Sequence, residues 1–106
     1  MLNVAQSLNF IKALDETRYY DCHEILEESW FPVRFDKKNP EVILMRGLIN
    51  AAVSFELLKR GRAKPSLKPW SNYQNSLIYL DKISFEKIDA YKNLIDHIEH
   101  VNKTIR

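Results

Sequence analysis

The segment from Pro40 to about Arg60 decides what this chain can fold into, because it is apolar on nearly every side. Val42, Ile43, Leu44, Leu48, Ile49, Val53, Phe55, Leu57 and Leu58 show no period-two alternation, and they leave little polar surface over the first four turns of a helix. A helix with no wet face has to be surrounded, so the pattern predicts a central element with the others laid around it. Gly47, Ala51, Ala52 and Ser54 are small where larger side chains would serve burial better. A mid-helix glycine costs about 1 kcal/mol relative to alanine, so its presence predicts close approach of a neighbouring helix. Gly61 supplies the C-terminal stop.

The flanking segments read as helices of ordinary amphipathicity. Only two glycines and four prolines occur, almost all at joints, as in a bundle with short connections. A first helix over about 3–15 sets Val4, Leu8, Ile11 and Leu14 on one face, and a second spans about 17–30, joined to it by Asp15–Arg18. Phe31–Pro40 is expected as a loop, with Pro40 suited to the first turn of the next helix. After a basic connection, a fourth helix from about Pro69 to Asp81 carries Trp70, Tyr73, Leu77 and Leu80. A fifth, over about 84–104, starts at Ser84 as N-cap and buries Ile88, Tyr91, Leu94, Ile95, Ile98 and Val101. The expected fold is all-α: one domain over residues 1–106, a compact bundle of about five helices around a buried central helix at about 40–60.

Chemistry is densest in Tyr19-Tyr20-Asp21-Cys22-His23-Glu24-Ile25-Leu26-Glu27-Glu28-Ser29-Trp30. On a helix His23 and Glu27 are neighbours at i, i+4, and Tyr19, Cys22, His23, Leu26 and Trp30 share one inward face. A zinc protease needs a second imidazole where Glu27 stands, and a di-metal carboxylate site needs a second inward histidine, so neither pattern is complete. A single-metal chelate of His23 and Glu27 has the right spacing only. Arg46 projects from the face that holds Val42, Ile49 and Val53, where an unpaired cation is costly, so an internal network of Arg46 with Glu24 or Glu27 beside His23 is the leading expectation. The same groups, with Tyr19, Trp30 and Asn50, could instead line a small-molecule or anion pocket. His97 and His100 lie off the apolar stripe of the last helix and read as solvated. Cys22 reads as packing rather than as a nucleophile.

This block, followed by Arg46-Gly47-Leu48-Ile49-Asn50-Ala51-Ala52-Val53 and ending at Lys59-Arg60-Gly61, resembles domain-of-unknown-function family 309, a set of small, mostly bacterial and archaeal all-helical proteins. The resemblance runs roughly from Phe10 to Leu80. It implies a compact helical fold and makes His23, Glu24, Glu27, Trp30 and Gly47 the signature, with no established activity to carry over. The chain departs from the family at Arg46, where glutamine is usual, and at Glu56 and Leu57, where an aromatic-histidine pair is usual.

The remaining features bound the function class. A lone cysteine excludes an internal disulfide, no apolar run approaches eighteen residues and no leader is recognisable, so a soluble cytoplasmic protein without membrane attachment is expected. The formal charge of +2 is small, although residues 15–28 are acidic and residues 59–68 basic. Lys59, Arg60, Arg62, Lys64 and Lys68, with Trp70 and Tyr73 behind them, could track a nucleic-acid backbone, but a solvated loop accounts for them better. The expectation is therefore a non-enzymatic binding or interaction module with a small-molecule or protein partner, without resident metal or cofactor, homo-oligomerisation being left open. The rival is a small enzyme or metal-dependent protein using His23 and Glu27.

Overall fold

The computed structural model describes residues 2–106, and among them there are five α-helices, two 3-10 segments and no strand. Helix α1 covers Val4–Asp15, α2 Tyr19–Trp30, α3 Pro40–Lys59, α4 Ala63–Ser76 and α5 Phe85–Ile105; the 3-10 segments Phe31–Val33 and Leu77–Lys82 extend α2 and α4. The all-α bundle built on a central helix is thus present. Val42, Leu44, Met45, Leu48, Ile49, Ala51, Ala52 and Phe55 of α3 are buried, with α2, α4 and α5 packed against it and α1 laid against α2 and α5. Asn39 caps its start by accepting from the Glu41 amide at 3.0 Å, with Pro40 in the first turn, where its missing N–H is not needed. The expected close approach occurs at Gly47, where an added Cβ would lie 1.8 Å from Ser76 Oγ and 2.4 Å from Ser76 Cβ. Only a residue without a side chain lets α3 and α4 meet at that spacing.

Two helix ends repeat one motif with different residues. At the end of α3, Arg62 N–H donates to Leu57 O at 2.8 Å and Gly61 N–H to Leu58 O at 3.0 Å, with Gly61 at φ 75°. At the end of α1, Arg18 N–H donates to Ala13 O at 2.8 Å and Thr17 N–H to Leu14 O at 3.0 Å, with Thr17 at φ 57°. Both satisfy the last carbonyls of a helix through a left-handed residue. Threonine pays a steric penalty there that glycine avoids, and Lys59 Nζ, donating to Thr17 O at 2.9 Å, holds the turn against the end of α3.

Three expectations need correction. The fourth helix starts at Ala63 and ends at Ser76, so residues 63–68 are helical and residues 77–82 are 3-10. Pro65 falls in the first turn, where amides have no intrahelical partner, and Pro69 forfeits one bond while Ser66, Trp70, Tyr73 and Ser76 are buried along the helix. On α1 the inward positions are Phe10, Ala13 and Leu14, whereas Val4 and Leu8 are 77% and 62% exposed. The polar Gln6 takes the inward place near the N-terminus: its amide donates to Ile25 O at 3.4 Å and to Ser29 Oγ, which is why an apolar stripe alone misplaces the face. On α5 the fully buried residues are Tyr91, Leu94 and Ile98, with Ile95 and Val101 packed half-buried beside them and Ile88 likewise half-buried.

Polar anchors fasten α5 to the bundle. Glu41, buried in the first turn of α3, accepts from Lys87 Nζ at 2.8 Å and from Tyr91 Oη at 2.6 Å. Tyr73 Oη donates to Glu99 at 3.0 Å, and the Arg106 guanidinium lies 4.5 Å over Trp70 while donating to Ser54 Oγ.

Candidate functional site

Helix α2 and the start of α3 form an antiparallel pair, and that direction decides which of the candidate residues meet. His23 and Trp30 are separated by about 10 Å along α2 at 1.5 Å per residue. Trp30, at the end of α2, shares a cleft with Val42, Ile43 and Arg46 from the start of α3; Tyr19, Tyr20 and His23 share another with Val53, Glu56, Leu57 and Arg60 from its far end. The candidates therefore divide into two groups, one along the Tyr20, His23 and Glu27 side of α2 and one around Trp30 and Arg46.

The first group centres on His23. Its Nε2 lies 2.6 Å from Glu27 Oε2, with the two side chains 26% and 39% exposed. Together with Tyr20, Glu24, Glu28 and Phe31 they line an open hollow of about 420 Å³. Tyr20 stacks near His23 with ring centroids 5.9 Å apart, and a hydrogen bond to Glu24 holds its phenol above the ordinary range. Tyr19, by contrast, is buried against Phe55 at 5.5 Å and belongs to the core. Among the described residues no group of three His, Cys, Asp or Glu converges as a ligand set, and His23 and Glu27 stand as a pair.

The second group centres on Arg46, and here the expected network is corrected. Arg46 is exposed and forms no ion pair with Glu24, Glu27 or any other described carboxylate. It is the wall shared by two clefts. One, of about 240 Å³, is lined by Trp30, Arg34, Phe35, Lys37, Val42, Ile43 and Arg46. The other, of about 270 Å³, is lined by Ile43, Arg46, Gly47, Asn50, Asn72, Asn75, Ser76, Ile78 and Tyr79. Neither contains a carboxylate. Arg34 is held in place by two rings, its guanidinium carbon 3.5 Å from the Phe31 centroid and 4.4 Å from that of Phe35, and it donates to Phe31 O at 2.5 Å. Trp30 Nε1 is buried and has no hydrogen-bond partner. Asn50 donates to Arg46 O at 2.9 Å and accepts from Asn72 at 3.4 Å.

Sequence reasoning named Trp30, Arg46 and Asn50 but missed Arg34, Lys37, Asn72 and Asn75. Their segments read as a loop and as the start of an amphipathic helix, and no local spacing signals that α3 brings them together. The basic segment 59–68 disperses instead: Arg60 pairs with Glu56 at 2.5 Å and Lys59 with a backbone carbonyl, while Arg62, Lys64 and Lys68 are exposed. Cys22 is buried, its Sγ 3.7 Å from Phe10 O, and burial more than the neighbouring Asp21 pushes its thiol up to about 12. His97 turns Nδ1 to Asn93 O at 2.8 Å and His100 is exposed. No helix among the described residues is long and apolar enough to cross a membrane. A family model described as Domain of unknown function (DUF309) matches residues 8–68, stopping short of the expected Leu80. No curated protein and no solved structure matches the chain.

Proposed function

Since the chain belongs to the family described as Domain of unknown function (DUF309), whose description assigns no activity, we propose from its own surface that it is a non-enzymatic binding module for an anionic partner, with Arg46 as the central contact. The observation that carries this reading is the convergence of Arg34, Lys37 and Arg46 on one cleft whose lining includes no carboxylate. Like charges brought together without counter-charge favour an anion from solution, and an apolar floor of Val42 and Ile43 with Phe35 and Trp30 as walls lowers the screening around it. Arg34 is already fixed between Phe31 and Phe35, so little side-chain freedom is lost when it engages an oxyanion. A soluble, cytoplasmic setting fits the single buried thiol, which has no disulfide partner.

Titration with pyrophosphate at low ionic strength, followed by amide chemical shifts, tests the proposal. Saturable shifts are expected at Arg34, Lys37 and Arg46, weakening with added salt as screening grows and lost in Arg46→Glu. Absence of saturation, or shifts that survive Arg46→Glu, would refute it.

A second reading is favoured by the His23 and Glu27 contact at 2.6 Å in an open hollow, the arrangement of an oriented acid/base pair. It makes the chain a small enzyme or metal-dependent protein. Its test is His23→Gln: loss of a ligand or metal that Arg46→Glu leaves bound favours the hollow over the cleft.

A further inference from the structure

The two clefts that flank Arg46 differ in chemistry in a way that matches the two halves of one ligand. On one side stand Arg34 and Lys37; on the other stand the amides of Asn50, Asn72 and Asn75 with the ring of Tyr79. At about 240 and 270 Å³, each falls below the roughly 300 Å³ at which small-molecule sites begin, whereas a ligand reaching across their shared edge at Arg46 and Ile43 would have a combined space within that range. Charge alone would not require the amide side.

Resting on the anion-binding reading above, we infer that the two adjoining clefts together form a site for a free nucleoside phosphate, its phosphates on Arg46, Arg34 and Lys37 and its base among Asn50, Asn72, Asn75 and Tyr79. Guanidinium groups present forked donors matched to phosphate oxygens, and Arg46, at the junction, reaches both compartments. A base edge offers donors and acceptors side by side, and a carboxamide answers both, since it carries an N–H₂ and a carbonyl on one plane. Asn75 makes no side-chain hydrogen bond with another described residue, and the Asn72 carbonyl accepts none, so this capacity is unspent. Tyr79 gives a ring for stacking, with the Lys82 ammonium 5.2 Å from its centroid. The Gly47 and Ser76 contact brings the two helices close enough for amides of both to face one compartment.

The test is calorimetric titration with ADP, GDP, CDP and UDP, with pyrophosphate as the ring-free control and a single-stranded octanucleotide as the polymer control. At least one nucleotide should bind about tenfold or more tighter than pyrophosphate, the order that one stacked base supplies. Asn72→Ala should reduce that nucleotide to the pyrophosphate level while leaving pyrophosphate binding unchanged, and Arg46→Ala should weaken both. Because Asn72 is half-buried, Asn75→Ala, at an exposed position, serves where the first variant misfolds, with loss of part of the same preference expected. If pyrophosphate binds and no nucleotide binds tighter, the inference falls and the anion reading stands. If nothing binds, both fall. If the octanucleotide binds while all four nucleotides fail, the occupant is a nucleic-acid chain and the inference is overturned.

Discussion

Glu41 illustrates how one residue acquires a role that no motif announces. Burial raises its carboxyl pKa, but the hydrogen bonds from Lys87 and Tyr91 outweigh this and hold it below the ordinary carboxylate range. A group with a depressed folded value contributes stability that is fully present above the unfolded value of about 4.3 and is lost as pH falls through the folded value. Urea unfolding should therefore show a loss of stability in acid that Glu41→Gln reduces. Glu41→Ala also strands the hydroxyl of Tyr91, a fully buried residue, and should cost about 1 to 3 kcal/mol at neutral pH. Equal acid sensitivity in the wild type and in Glu41→Gln would show that the carboxylate is not linked to folding. Sequence alone had no means of singling out Glu41, because its partners lie 46 and 50 residues away. The pairing of His23 with Glu27 was legible because the helix repeat fixes it locally, whereas the expected partner of Arg46 depended on which face of α2 turns towards α3, and Glu24 and Glu27 line a separate hollow.

At the level of helices, apolar periodicity was enough to find five of them, and small residues were enough to find the close approach at Gly47. Periodicity failed where a polar side chain took an inward place, as Gln6 does, and where a proline-containing stretch was helical because its buried face outweighed one missing bond. Gly47 yields the sharpest prediction here. In an isolated helix, Gly→Ala stabilises by about 1 kcal/mol. At position 47 the new methyl would overlap Ser76, so the sign should reverse and Gly47→Ala should destabilise by about 1 to 3 kcal/mol, measured by thermal and urea unfolding. Ser76→Gly in the same chain removes both overlapping atoms and should restore a large part of the loss, appearing as non-additivity. Simple additivity of the two changes would mean that α3 and α4 do not touch there.

For the molecule as a whole, the Cα radius of gyration of 12.7 Å is that of a well-packed chain of this length, for which about 13 Å is expected. Cys22 reports on that packing from inside, since it is fully buried between α1 and the core and its thiol titrates far above neutral pH. A thiol reagent at pH 8 should react orders of magnitude more slowly with the native protein than with the urea-unfolded chain, at a rate set by opening of α1 from α2. Reaction at the unfolded rate would show that α1 is not docked. Charge is divided across the Phe31 and Arg34 stack, with Glu24, Glu27 and Glu28 on one side and Arg34, Lys37 and Arg46 on the other, so a small net charge conceals two strongly unlike faces. Gly47 and Ser76, finally, are both the joint between α3 and α4 and part of the lining of a cleft. A chain drifting through sequence space has no neutral step at position 47: any side chain placed there would re-space two helices and reshape a cavity at once, so fold and surface could change only together.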